Sequence, residues 1–233
     1  MDGPWSEGLK GTGRDGSPVS CGSLQPEIKD NTMELYLNAT SPYARVARIA
    51  AMEKGLEPEL VWVDPWSNDE QLLDVNPMAR VPVLVTDEGQ AISESLLVLQ
   101  YLDGIVEATP LFPESALASV LQLTGLAQGL IDASFGTVIQ RKHEGDTADN
   151  TLLGQRRLAA IKRTLAGLEK NLESAIKQQE LPAFSATHIV TGVALEYLDF
   201  RLPEIHWRES HPALVELDKE MSARASFART AFA

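Results

Sequence analysis

Cysteine is nearly absent from this 233-residue chain, which carries only Cys21. A single thiol excludes an internal disulfide framework and any zinc site built from several cysteines. Basic side chains are few as well, 20 against 33 acidic ones, giving a formal net charge of −13 with histidine neutral. Nonspecific nucleic-acid binding relies on Lys and Arg neutralising phosphates, so an acidic excess of this size works against it. The four histidines, His143, His188, His206 and His211, lack the spacing of a metal site. No phosphate loop, nucleophile elbow or paired-carboxylate arrangement occurs. No unbroken apolar run approaches the ~18 residues that span a bilayer, and the N-terminus lacks a basic-then-apolar leader. These absences point to a cytoplasmic protein without a nucleic-acid, membrane or metal partner.

What is present is an ordinary globular composition, 44% hydrophobic and 23% charged. Residues 1–32 hold six of the sixteen glycines and few apolar side chains. Such a segment buries too little surface to offset the entropy of ordering, so a disordered extension is expected there. Cys21 lies within it and is assigned no chemistry.

From Met33 the pattern alternates between short strands and helices. Glu34-Leu35-Tyr36-Leu37 reads as a strand. Ser41-Pro42 then opens a helix over Tyr43 to Lys54, because serine caps well and proline is preorganised for the first helical position. Gly55 ends it. Strands follow at Leu60–Val63, Val81–Val85 and Ala91–Ile92, the last two joined by a tight turn. Ser93-Glu94-Ser95 opens a further helix. This βαβ-then-ββα order describes a small mixed sheet with helices on its faces, as in a thioredoxin-like domain.

After a linker at Thr109–Pro113 the strand signals vanish. Leu117 to Lys142 carries Val120, Leu123, Ala127, Leu130, Ile131, Val138 and Ile139 at three- and four-residue spacing. Leu158, Ile161, Leu165, Leu168, Leu172 and Ile176 repeat it in the next segment, so a helical second half is expected. The division predicted is an extension at 1–32, a thioredoxin-like domain at 33–108 and an all-helical domain at 113–233.

Thr40-Ser41-Pro42-Tyr43-Ala44-Arg45, Asn76-Pro77-Met78-Ala79-Arg80-Val81-Pro82, Ser93-Glu94-Ser95 and a terminal Arg224-x-Ser226-Phe227-x-x-Thr230 occur in an order and spacing that resembles the glutathione S-transferase family. The similarity runs from Met33 to the end and is nearest to bacterial members with Ser-Pro-Phe/Tyr at the first helix. It implies the family's two-part fold, an α/β thioredoxin-like domain followed by an all-α domain. It also implies a detoxifying transferase that joins the glutathione thiolate to a small hydrophobic electrophile, with glutathione as co-substrate, no other cofactor, and a homodimeric state.

By the same resemblance, Ser41 contacts the glutathione sulfur, with Thr40, Tyr36 and Tyr43 as alternatives. The Val81–Pro82 bond is cis, and the Val81 backbone pairs with the cysteinyl unit. Glu94 holds the γ-glutamyl ammonium, Ser95 its carboxylate, and Arg80 the glycyl carboxylate. Phe135, Val138, Arg141 and Trp207 are candidates for the electrophile pocket. The same residues also have plainer readings, Ser41 and Ser93 as helix caps and Arg80 as a solvated charge. A serine at position 41 disfavours a glutathione-dependent peroxidase or disulfide reductase, because a hydroxyl forms no mixed disulfide. A non-catalytic binding protein on the same scaffold is the remaining alternative. Ser185 is followed three residues later by His188 where the family's capping box carries an acid, which leaves Thr187 or His188 to fill the gap.

Overall fold

Alternation along one short strand prepares both faces of a sheet. In β1 (Glu34–Leu37) Leu35 joins the large core shared with the helices, while Tyr36 turns to a smaller cluster on the opposite face. In β3 (Val83–Val85) Leu84 opposes Leu35 and Val83 opposes Tyr36 in antiparallel register, so partners share a face. β2 (Glu59–Trp62) runs parallel to β1, and β4 (Ala91–Ser93) runs antiparallel to β3. The sheet order is β2-β1-β3-β4. The computed structural model describes residues 32–232. The expected extension, apart from Thr32, and Cys21 therefore lie outside the described residues.

The crossover from β1 to β2 is α1 (Pro42–Glu53). It ends as the sequence predicts: Gly55 sits at φ +69°, its N–H donates to the Met52 carbonyl at 3.0 Å, and the Leu56 N–H donates to Ala51 at 2.8 Å. This pair of bonds satisfies carbonyls that the helix end would otherwise leave open.

The structure adds a helix the sequence did not announce, α2 (Glu70–Val75), too short to show a period. Asp69 caps it by accepting from the Gln71 N–H at 3.0 Å. Its Leu72, fully buried, covers the cluster of Tyr36, Val63 and Val83 on the second sheet face. Burial of one such side chain contributes roughly 1.5–3 kcal/mol. Boundaries also differ, with β2 lying one residue earlier than the expected Leu60–Val63. β3 begins at Val83 rather than Val81, since Pro82 has no N–H for the ladder. In α3 (Ser95–Ile105), Ser93 is no cap: it belongs to β4, opposite Val83, and Glu94 fills the N-cap position without a side-chain bond.

The helical half comprises α4 (Leu117–Glu144), α5 (Leu152–Lys177), α6 (Ala186–Arg201), α7 (Pro212–Ser222) and α8 (Ala225–Ala228). The stripes predicted for α4 and α5 are buried at Leu123, Leu130, Ile131, Ile161, Leu165, Leu168 and Leu172, whereas Ile176 is exposed at the end of α5. Glu114–Glu144 is long and apolar enough to cross a membrane, with a mean hydropathy of 1.2. Glutamines, glycines and Asp132 interrupt the segment, so it contains no long unbroken apolar run. Here its stripe packs in the core against α5 and α6.

Polar ties join the layers. Buried Lys54 donates to Asp103 at 2.7 Å and to the carbonyls of Ala108 and Thr109, and Asp103 accepts from the Leu111 and Phe112 N–H groups at 2.7 and 3.0 Å. Arg45 of α1 pairs with Glu196 of α6 and donates to Thr230 at 3.3 Å. The C-terminal motif closes on the same helix, with Arg224 donating to Glu53 at 2.9 and 2.6 Å and the Ser226 hydroxyl donating to that carboxylate. At the start of α6, the Ser185 hydroxyl lies 3.1 Å from His188 Nδ1, so the imidazole stands where the box would carry its acid. Thr187 does not cap, because its hydroxyl donates to the Val120 carbonyl at 3.1 Å.

Candidate functional site

Strand register carries three chain segments to one end of the sheet. Tyr36 opposes Val83, and Val83 opposes Ser93. The exit of β1 toward Ser41, the entry into β3 at Val81-Pro82 and the exit of β4 into Glu94-Ser95 therefore share that end. Chain ends of this kind, next to helix N-termini, are where α/β sheets place ligands.

Ser41 is the N-cap of α1. Its Oγ accepts from the Ala44 N–H at 3.1 Å, and its carbonyl accepts from the Arg45 N–H at 3.1 Å. Acceptance by Oγ leaves the hydroxyl hydrogen without an acceptor among the described residues. A donor so placed, at the positive end of a twelve-residue helix, favours a negatively charged atom beside it. Thr40 is differently engaged, both its N–H and its hydroxyl donating to Asn38 Oδ1 at 3.1 and 3.4 Å. Tyr36 donates to Glu34 at 3.1 Å from a buried position.

The Val81–Pro82 bond is cis. The loop before it is organised by buried Asn76, whose amide donates to the Arg80 carbonyl at 2.9 Å while its oxygen accepts from the Met78 N–H at 3.1 Å. No described residue pairs with the Val81 backbone outside the strands. Arg80 is exposed and has no carboxylate partner among the described residues.

At the start of α3, Glu94 has φ +72° and an exposed carboxylate that caps nothing. A side chain with a Cβ adopts this region seldom, and such residues concentrate at functional positions. Ser95 is 2% exposed, and its hydroxyl has no hydrogen-bond partner among the described residues. Unpaired N–H groups at this helix start favour an anion.

The helical half reaches this end of the sheet through Tyr43. Its hydroxyl donates to Asp132 of α4 at 2.8 Å, and its ring meets Phe135 edge-on at 5.6 Å between centroids. Burial, and then the Asp132 charge, push the phenol far above its usual range, so it stays a neutral donor. Glu94 adds to that field from the α3 side. Sequence reasoning passed over Asp132. The signal was there, since it is the one ionisable residue between Leu117 and Gln140.

The four pocket candidates separate. Phe135 and Val138 are half-buried on α4. Arg141 is held by Asp149 at 2.8 Å and Glu204 at 2.6 Å, which neutralise it. Trp207 is a correction: it is 3% exposed, packs in the main core and donates its indole N–H to Asp199 at 3.0 Å, so its ring is not open to a ligand. Among the described residues no group of three His, Cys, Asp or Glu side chains is placed to hold a metal.

Residues 40–105 match the family model for the glutathione S-transferase N-terminal domain. The uncharacterized GST-like protein YibF of Escherichia coli K12 is 32% identical over 201 residues, covering 85% of this chain and 98% of its own length. A glutathione S-transferase crystal structure from Methylobacillus flagellatus with glutathione bound superposes with a TM-score of 0.77 at 28% identity, covering 87% of this chain and all of that one. A second, from Methylobacterium radiotolerans in complex with glutathione sulfonate, gives 0.76 at 31% identity over 86% of this chain and 95% of that one. A sheet of this order with a helical half behind it, matched nearly end to end by these relatives, places the chain in the glutathione S-transferase family.

Proposed function

We propose that the protein is a cytosolic, dimeric glutathione transferase that joins the glutathione sulfur to a small hydrophobic electrophile. The observation that carries this reading is the state of Ser41, its oxygen held by the Ala44 N–H and its hydrogen left to donate. The Ser41 hydroxyl donates to the glutathione sulfur and, with the α1 dipole, favours thiolate over a thiol whose ordinary pKa is ~8.5. The proton passes to solvent. The thiolate then attacks the acceptor carbon, a carbon–sulfur bond forms, and the leaving group departs with its electron pair.

In this reading glutathione lies along residues 33–108. Val81 pairs with its cysteinyl backbone, Glu94 takes the γ-glutamyl ammonium, the Ser95 hydroxyl and N–H take its carboxylate, and Arg80 takes the glycyl carboxylate. The acceptor rests against residues 113–233, on Phe135 and Val138, and proximity to the held thiolate supplies the rest of the rate. The serine at position 41 supports the reading of a bacterial Ser-Pro-Phe/Tyr type of transferase and argues against disulfide chemistry, because a hydroxyl forms no mixed disulfide.

Retention on immobilised glutathione followed by turnover of an aryl halide tests the reading. Retention and conjugation together support it; retention without turnover reduces it to a binding protein, and failure of both overturns it. Light scattering giving a single-chain mass would remove the dimer.

A further inference from the structure

Two clefts open at the C-terminal end of α1, on the side of α8. Met52, which borders both, is eleven residues beyond Ser41, about 16 Å along the helix axis. The larger, ≈ 530 Å³, is bordered by Glu53, Arg224 and Ser226, whose polar groups close on one another. The smaller, ≈ 170 Å³, adjoins it through Met52, Leu56, Glu57 and Arg229 and is floored by Ala51, Pro58 and Leu60.

Arg48 and Arg229 both line the smaller cleft. Among the described residues neither guanidinium has a carboxylate in ion-pair contact, although the chain carries 33 acidic side chains. Arg48 lies instead over the ring of Trp62, 5.6 Å from its centroid, which holds the guanidinium in place. Burial and then the charge of Arg229 weaken its hold on its proton, as for a cationic pair lacking a counterion. Glu57 is the one carboxylate among the residues lining the smaller cleft, so with Arg48 and Arg229 that lining carries a net charge of +1.

We infer that the smaller cleft binds an amphipathic monocarboxylate, its head group between the Arg48 and Arg229 guanidiniums and its apolar body on Ala51, Leu56 and Leu60. Guanidinium forks match a carboxylate's two oxygens. A lining of net charge +1 suits a monoanion better than a phosphate dianion. An apolar cavity of about 150 Å³ accommodates a benzene ring, so this floor suits a body of six to eight carbons, approximately. None of its lining residues belongs to the proposed glutathione site, and the inference stands whether or not that site turns over.

Calorimetric titration of the full-length protein with sodium octanoate tests it. One saturable site is expected, weakened at least about tenfold by Arg48→Gln and by Arg229→Gln, the loss of a charge-assisted bond. Glu57→Gln should tighten it, and saturating glutathione should leave it unchanged. Arg229 is exposed, so its variant keeps the test valid if Arg48→Gln misfolds. Absence of saturable binding, displacement by glutathione, unchanged affinity in Arg229→Gln, or inorganic phosphate binding as tightly as octanoate would each overturn the inference.

Discussion

The Tyr43 hydroxyl donates to Asp132 across 2.8 Å, joining the first turn of α1 to the middle of α4 over a separation of 89 residues. The bond lies two residues from Ser41 and three from Phe135, so it couples the residue proposed for sulfur to the surface proposed for the acceptor.

Tyr43→Phe keeps the ring against Phe135 and removes only this bond. A stability loss of about 1.5 kcal/mol is expected, the low end for a bond to a charged group because exposed Asp132 regains water. Urea denaturation measures it. Steady-state kinetics should show a raised KM for the acceptor with glutathione affinity near that of the parent; the reverse pattern would separate Tyr43 from the acceptor surface.

Ser41→Ala should raise the thiol pKa of bound glutathione by about one unit, equivalent to about 1.4 kcal/mol of thiolate stabilisation. Thiolate absorbance followed against pH reads this directly. Loss of the cap bond to Ala44 should lower stability by about 1 kcal/mol in addition. A cap-only role predicts the second change without the first.

Glu94→Gln should weaken glutathione binding about tenfold in calorimetry, the loss of a charge-assisted contact. The carboxylate is exposed and caps nothing, so stability should move by less than about 0.5 kcal/mol. Unchanged affinity would remove Glu94 from the head-group contact.

Asp103→Ala leaves the wholly buried Lys54 side chain, whose ammonium meets Asp103 at 2.7 Å, with only the Ala108 and Thr109 carbonyls. It also takes the acceptor from the Leu111 and Phe112 N–H groups. Removing one partner of such a pair costs about 3–5 kcal/mol. Thermal unfolding should show it, and the double variant Lys54→Met/Asp103→Leu should recover the part due to the uncompensated charge while the Leu111 and Phe112 N–H groups still lack their acceptor. An additive double variant would mean that the pair is not coupled.

His188 gives the fold an acid-sensitive point. Burial, then the Arg224 charge, pull its imidazole down to about 4 from 6.5. The unfolded chain therefore binds more protons between those values, and stability falls as pH drops through that window. The contribution is whole above about 6.5 and lost near 4, on the order of 3 kcal/mol in all. His188→Gln should flatten the slope of unfolding free energy between pH 6.5 and 4. An unchanged slope would assign the acid sensitivity elsewhere.

How much could be read from the chain follows the range of each interaction. The Ser41-Pro42 start and Gly55 end of α1 are legible because their bonds close within five residues. The stripe of α5 is legible as far as Leu172, since a periodic face must find a core, and fails at Ile176 where the helix runs past it. At the site, the Ser41, Val81 and Glu94-Ser95 segments are legible through the motifs that carry them. The bond that brings α4 to them is not, because Asp132 has no local mark of its partner.

The amino-acid order alone determined the succession of the four strands with α1 and α3, the cap of α1 and the helical second half, all written in local backbone preference and hydrophobic period. Only the tertiary structure decided that α2 closes the second sheet face with Leu72, that Trp207 is sealed in the core, and that Tyr43 meets Asp132. Each of these depends on which distant surface a side chain finds, and that is settled when the sheet and the helices pack together.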